Sequence, residues 1–390
     1  MDFGSQPLAN SFLKGESEFA NEPKYPLAVY FCRNCGLAQL LDVVSKEEMF
    51  SNYIYFSSGM PKLSGHFKLY AQDVVARFLS EGDLVLEIAS NDGILLKHFQ
   101  DQGFKVLGVD PAQNVTKIAQ DLGVETIVDF FSEPLAKKIA QERSKPKAIL
   151  ANNVVAHIDD HHDLAKGVAA LLAEDGVFVL EAPYLVDMFE NLTYDTIYHE
   201  HLSFLAIRPL KFLFEQFGLE IFDVQVNEVQ GRSLRVFAGH KGKHEKTPAV
   251  EELINKELSM GLDKIDAYEK LARRVAKQKE DLTKLLKDLK NQGKKIASYG
   301  APAKGNTMLN YCKIGTDILD YALEDLPAKQ NLFTPGMHIP TVDVAYAHSH
   351  EPDYYLMLAW NYEKPILEKE QEFLKKGGKF IIPVEGIRVI

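Results

Sequence analysis

Between residues 84 and 184 the chain alternates short, mostly apolar runs with amphipathic stretches. LVLEIA (84–89), FKVLGVD (104–110), VETIVDF (124–130), KAILANNV (147–154) and GVFVLEAPY (176–184) read as strands buried on both faces. ILLKHFQDQG and NVTKIAQDLG between them, and residues 63–79 before them, repeat apolar positions every three or four residues, which predicts helices. Alternation of this kind predicts βαβ units, hence an α/β fold with a doubly wound parallel sheet. The ending is different. After the helical PLKFLFEQFG come LEIFDVQVNEV (219–229) and SLRVFAGH (233–240), joined at Gln230-Gly231-Arg232, a hairpin signal that gives the sheet an antiparallel last strand.

Four regions are expected from the pattern. Residues 1–62 form a small head rich in Pro, Tyr and Phe, and 63–245 hold the main α/β unit. Residues 246–293 are helix-forming and charged, with Leu271, Val275, Leu282, Leu285, Leu286 and Leu289 making a partial apolar stripe, as in a helix bridging two domains. From 294 to 390 a second, Rossmann-like unit begins: KKIASYG as strand, APAKGNT as turn, MLNYC as helix and DILDYALED as the next strand. PDYYLMLAW, the helix ILEKEQEFLKKGG and KFIIPV complete it.

Composition narrows the partners. A formal net charge of −11 argues against nucleic acid or an anionic membrane surface, and leaves room for a local basic pocket. No apolar run approaches the ~20 residues of a membrane span. Three cysteines make no disulfide framework, and the start MDFGSQPLAN lacks an apolar leader core, so the reducing cytoplasm is the expected compartment.

Several motifs carry chemistry. In LEIASNDGILL a strand runs through a tight turn into a helix, the arrangement that presents backbone N–H groups to a ligand. Gly93 is its one glycine; Ala89 and Ser90 are small stand-ins, and Asn91 and Asp92 tolerate left-handed backbone. Glu87 at the strand end and Asp110, followed by Pro111, at the end of the next strand stand where carboxylates meet a bound cofactor, Asp110 at the ribose hydroxyls. With an antiparallel strand closing the sheet, the pattern favours S-adenosylmethionine, whose methionine portion Glu87 would reach. Asn152 and Asn153 end the fourth strand at the crevice, with His157 beyond them. The following Asp159, Asp160, His161, His162 and Asp163 read as a helix cap and solvated face. Cys32 and Cys35 of CRNC supply half a zinc knuckle, whereas a redox CxxC would follow a strand and open a helix. YGAPAKGNT repeats the strand–turn–helix logic, with Lys304 as a cation beside the turn and Tyr299 and Asn306 flanking it; Glu324 and Asp325 end the following strand. In TIYHEHLSF, His199 and His201 lack the i, i+4 spacing of a metalloprotease helix. Read as extended chain, they share one face while Tyr198 and Glu200 share the other. General acid–base chemistry is the reading that remains.

Taken together, PLAN, YPL, CRNCGLAQL, YIYFSSGM, LEIASNDGILL, NNVVAHIDD, YDTIYHEH, YGAPAKGNT, PGMHIP and LAWNY resemble the nucleotide-sugar C-methyltransferase family of deoxysugar biosynthesis, over almost the whole chain. The resemblance implies a zinc-binding head, a central S-adenosylmethionine-dependent methyltransferase domain and a Rossmann-like C-terminal domain. It implies methyl transfer to a carbon beside the keto group of a dTDP-linked keto-deoxysugar, with His201 as base, Tyr198 and Glu200 as its partners, and Tyr53 and Tyr55 covering the substrate. Family members usually carry an earlier CxxC pair before PLAN; this chain begins after it, so zinc at Cys32 and Cys35 is expected only in part. An NAD-dependent sugar oxidoreductase using YGAPAKGNT and a non-catalytic cofactor-binding descendant are the competing expectations.

Overall fold

The computed structural model describes residues 1–50, 61–227 and 232–390. Tyr53, Tyr55 and the hairpin residues Gln230 and Gly231 lie outside the described residues.

The central sheet has the order Leu219–Asn227, Ser233–His240, Val177–Pro183, Ala148–Asn152, Leu84–Ile88, Lys105–Val109, Thr126–Ile127. Ser233–His240 alone runs against its neighbours, inserted between Val177–Pro183 and Leu219–Asn227. The other pairings are parallel. Every residue of Leu84–Ile88 is buried, which is why that run carries apolar residues on both faces apart from Glu87. Register then aligns the polar ends. Glu87 stands opposite Gly108 and Leu150, and Asn152 opposite Glu181, so these acids and amides collect at one carboxyl edge.

A second sheet winds in the same way. Its order is Thr341–Val342, Ala322–Leu323, Ile296–Tyr299, Tyr354–Met357, Lys379–Ile382, Arg388–Val389, with only the last strand antiparallel. Three local readings of the sequence change here. DILDYALED pairs only at Ala322–Leu323, because the N–H groups of Ile318 and Leu319 turn back to Gly315 O, at 3.0 and 2.9 Å. ILEKEQEFLKKGG is two helices, Glu363–Lys369 and Gln371–Lys375, broken at Glu370, whose buried carboxylate accepts from Tyr299 Oη at 2.8 Å. The APAKGNT turn is short: Gly300 supplies the left-handed residue (φ 84°), and the helix Ala303–Cys312 already contains Lys304, Gly305 and Asn306.

The head is a small antiparallel sheet, Asp2–Gln6, Tyr25–Phe31, Ala38–Leu40, closed by Ser203–Phe204. That fourth strand follows His201 directly, so the head is stitched to the TIYHEHLSF segment by backbone pairing, including Leu40 N–H donating to Leu202 O at 2.8 Å. Phe3 wedges between Tyr194 and Tyr311, 6.1 and 4.7 Å between ring centroids, and so joins head, central unit and second unit. The helix Ile265–Asn291, about 40 Å long at 1.5 Å per residue, lies against all three. Leu271, Val275, Leu282, Leu286 and Leu289 form its buried stripe. Tyr268 packs on Phe31 at 4.6 Å, Arg274 donates to the carbonyl of Phe189, and Gln278 donates to that of Pro383.

Candidate active site

The turn after Leu84–Ile88 takes the conformation that several glycines would normally provide. Ala89, Asn91 and Gly93 all have positive φ, at 55°, 51° and 77°. Asp110 fixes this shape by accepting from Asn91 N–H and Ala112 N–H, both at 2.9 Å, so it ties the turn to the loop that begins at Pro111. Asp92 is fully buried within the turn. A close approach is also needed from below: a Cβ on Gly108 would lie 2.4 Å from Ser90 Oγ and 2.9 Å from Thr126 Oγ1. Gly108→Ala should therefore displace Ser90, lower the melting temperature by the equivalent of ~1–3 kcal/mol of overpacking, and weaken binding of the expected cofactor. Ser90→Gly in the same chain should restore part of both, read by thermal unfolding and calorimetry.

The carboxyl edge holds polar atoms that the protein does not satisfy. Glu87 Oε2, Ser90 Oγ, Asn152 Oδ1 and Asn153 Oδ1 are buried without a hydrogen-bond partner among the described residues. Each such atom costs ~1–3 kcal/mol unless a ligand meets it. Asn152 Nδ2 donates to Glu87 Oε1 at 3.4 Å, and Asn153, in left-handed backbone (φ 53°), is held by its N–H on Glu181 O at 2.7 Å. Burial pushes the Glu87 carboxyl well above the usual carboxylate range; the Asn152 amide opposes this, and the nearby Asp110 and Asp92 reinforce it. Burial raises Asp110 as well, against its two backbone donors. A polar, positively charged ligand portion fits this cluster, so the residues present suit S-adenosylmethionine.

TIYHEHLSF is a turn, not extended chain. His201 N–H donates to Tyr198 O at 2.8 Å, which brings residues three apart together and sends adjacent side chains to different neighbours. The Tyr198 and His201 rings lie 4.1 Å apart, tilted by 36°. His201 Nδ1 donates to Thr196 O at 2.6 Å, leaving Nε2 as an acceptor, and the Tyr198 hydroxyl donates to it at 3.0 Å. His157, placed by the short helical turn Val155–His157 after Asn153, stands edge-on to His201 at 5.0 Å. Burial lowers the His201 pKa to about 4, against the Thr196 carbonyl, and holds His157 well below the ordinary imidazole value. Both rings are neutral at pH 7. His199 points elsewhere, its Nε2 donating to Tyr25 O of the head at 3.3 Å. Glu200 faces the seam between head and second unit, where Asn10 Nδ2 donates to its Oε1 at 2.6 Å. The extended reading failed because backbone pairing to the head folds this segment back on itself.

The other candidates are dispersed. Lys304 is half-buried at the seam with the central unit; its Nζ donates to Asn361 Oδ1 at 2.7 Å and lies 3.6 Å from the Trp360 ring centroid. Trp360 Nε1 donates to Asp195 Oδ2 at 2.6 Å. Burial lowers the Lys304 pKa to about 8, with Asp195 and Asp187 opposing it. Asn306 donates to Ala9 O at 2.8 Å and so pins the PLAN segment. Tyr299 points into the second unit, toward Glu370, so these three residues do not converge on one ligand face. Asp160 caps the helix His161–Leu171 by accepting from Asp163 N–H at 2.9 Å, as the sequence suggests. Arg232 pairs with Glu190, and Arg235 with buried Glu181 at 2.7 Å, so neither hairpin arginine is a free cation. Glu181 also binds His66 Nε2 at 2.7 Å and Asn227 Nδ2 at 3.0 Å. That network had no sequence signal, since its members lie on four separate elements. Glu324 repeats the role of Asp110 in the second sheet, accepting from Ala301 N–H at 3.2 Å and Leu326 N–H at 2.9 Å.

Cys32 and Cys35 close the turn between the second and third head strands, Cys32 O accepting from Gly36 N–H at 2.9 Å. The backbone N–H groups of Cys35 and Asn34 hold the Cys32 thiol below its ordinary pKa, and burial raises that of Cys35. Two thiols are half of a tetrahedral zinc set. Among the described residues no group of three or more His, Cys, Asp or Glu could hold a metal ion, so they do not make up a closed zinc site. No described helix is long and apolar enough to cross a membrane.

Three family models match the chain in series. Residues 1–50 match one described as "Putative zinc binding domain", 64–224 one described as "Methyltransferase domain", and 228–385 one described as "C-methyltransferase C-terminal domain". The C-methyltransferase NovU of Streptomyces niveus is 38% identical over 392 residues, covering 100% of this chain and 93% of its own. An uncharacterized methyltransferase of Alkaliphilus oremlandii is 46% identical over 57 residues, 14% of this chain and 26% of its own. Among solved structures, the PH0226 protein of Pyrococcus horikoshii superposes with a TM-score of 0.38 at 16% identity, over 50% of this chain and 98% of its own. Full-length kinship, three consecutive family matches, and a polar carboxyl edge that fits S-adenosylmethionine beside a neutral Tyr–His pair agree: the chain belongs to the S-adenosylmethionine-dependent C-methyltransferases.

Proposed function

We propose that the enzyme methylates the carbon beside the keto group of a dTDP-linked keto-deoxysugar. The observation that carries this reading is the Thr196–His201–Tyr198 chain, a neutral base with its accepting nitrogen already engaged by a phenol. Carbon becomes a nucleophile when a proton next to a carbonyl is removed. The Tyr198 oxygen takes that proton as its own passes to His201 Nε2, so the pair ends as phenol and imidazolium and the sugar as enolate. The Thr196 carbonyl fixes the tautomer and stabilises the imidazolium. S-adenosylmethionine, when bound, supplies the electrophilic methyl group that the enolate carbon attacks.

Glu87, Ala89, Ser90, Asn91, Asp92, Gly93, Asp110, Pro111, Asn152, Asn153 and His157 would hold the cofactor. The second sheet supports a nucleotide-linked substrate, because Glu324 and the Gly300 turn reproduce the acid-and-turn arrangement of Asp110 and Asn91. Lys304 and Asn306 would serve the substrate through the seam, Lys304 by its charge beside Asp195 and Asn306 by holding Ala9. Tyr299 would act through the Glu370 contact that shapes the second unit. The oxidoreductase alternative loses its main support, since Gly305 lies in a helix, packed on Leu358, and not in a phosphate-binding turn.

The test is mass spectrometry of dTDP-keto-deoxysugars incubated with the enzyme and S-adenosylmethionine. A gain of one methyl, with loss of deuterium from a substrate labelled beside the keto group, is the expected result. Methyl transfer to oxygen or nitrogen, or none across the keto-sugar panel, would overturn the reading.

A further inference from the structure

The PLAN segment takes no part in the chemistry above, yet it touches both the catalytic turn and the second unit. Asn10 Nδ2 donates to Glu200 Oε1 at 2.6 Å across 190 residues of sequence. One residue earlier, Ala9 O accepts from Asn306 Nδ2, and Asn306 is itself fully buried in the helix Ala303–Cys312. Asn310 locks that helix to the PGMHIP loop by donating to Asn306 O at 2.8 Å and Pro335 O at 2.9 Å. Asn10 is therefore held from behind and presents its amide to one carboxylate.

The electrostatics around that carboxylate are arranged in the same sense. Burial alone favours the neutral acid, whereas a fixed N–H donor and a nearby cation favour the ionised form. Lys329 supplies the cation: its charge faces Glu200, and its Nζ donates to Ala301 O at 3.3 Å and lies 4.9 Å from the Phe12 ring centroid. Glu324 faces Lys329 from the second sheet, and His199 and His201 flank Glu200 in the turn itself. Glu200 belongs to the turn that His201 N–H closes on Tyr198 O, so fixing its carboxylate also fixes the turn that carries the base.

We propose that Asn10 is a positioning residue that holds Glu200 as an ionised carboxylate, so that the catalytic turn is complete only when head and second unit are docked on it. The catalytic half of this proposal rests on the enolate reading; the ionisation half does not.

The experiment is a titration of protein carrying 13C-carboxyl glutamate, with the Glu200 signal assigned by its disappearance in Glu200→Gln. Asn10→Ala should move the Glu200 midpoint up by about one pH unit, and Asn10→Asp by more, because a second carboxylate replaces the donor. In both variants kcat should fall, while affinity for S-adenosylmethionine stays within twofold. Asn10→Asp preserves side-chain size, and its cofactor binding checks that the chain is folded. An unchanged Glu200 midpoint in both variants would overturn the proposal whatever the activity. Absence of methyl transfer by the wild type would instead count against the enolate reading alone, since the titration needs no substrate.

Discussion

His201→Asn lowers kcat by roughly 10²–10⁴-fold, the usual worth of a positioned general base, and leaves S-adenosylmethionine affinity unchanged. The separation follows from geometry. Asparagine can keep the contact to the Thr196 carbonyl, which His201 Nδ1 makes at 2.6 Å, but offers no basic nitrogen to the Tyr198 hydroxyl. Tyr198→Phe should fall in the same range if the phenol carries the proton, and the double variant should lose little beyond either single one, because the two groups act as a unit. The pH profile is a second check. Burial lowers the His201 pKa to about 4, so the base stays competent from neutral pH down to that value. Activity limited by His201 is therefore lost as pH falls through about 4, and not through the ordinary imidazole value near 6.5. Full activity of His201→Asn in a single-turnover assay, or an acidic limb near 6.5 that vanishes in this variant, would sink the assignment of neutral His201 as base.

The parts legible in the sequence are those that local pattern dictates. Buried apolar runs marked the central strands, and the unusual ASNDG turn pointed to left-handed backbone, which the structure has at Ala89, Asn91 and Gly93. The antiparallel Ser233–His240 was readable from its hairpin signal. The failures come from contacts between distant parts of the chain. Pairing of Ser203–Phe204 with the head turns His199 away from His201, which no periodicity rule could foresee. Tyr299 looked like a strand-end ligand residue but is drawn inward by Glu370, 71 residues later. Nothing local in the sequence pairs Arg235 with Glu181, 54 residues earlier, yet it is buried on that carboxylate, with the Tyr70 ring 4.0 Å from its guanidinium. Asn10 drew attention only as part of a motif; its role shows only once Glu200 is beside it.

Glu87→Gln should weaken S-adenosylmethionine binding about 10- to 150-fold, the equivalent of the ~1.5–3 kcal/mol carried by a hydrogen bond to a charged group. Burial keeps the Glu87 carboxyl protonated well above the usual carboxylate range, and its Oε2 has no partner among the described residues. A cationic ammonium group arriving there selects the ionised form. The sign follows: the free enzyme holds a proton that the complex gives up, so binding releases a proton and tightens as pH rises. The tightening ends when pH passes the raised Glu87 value, or when the ligand's own ammonium titrates near ~8. Calorimetry in two buffers of different ionisation enthalpy reads the released proton directly. Glutamine keeps the shape and the Asn152 contact but has no proton to lose, so its binding should be weaker and free of this linkage. Proton release persisting undiminished in Glu87→Gln would assign the linkage to Asp110, the other buried acid at this edge, and remove Glu87 from the methionine end of the site.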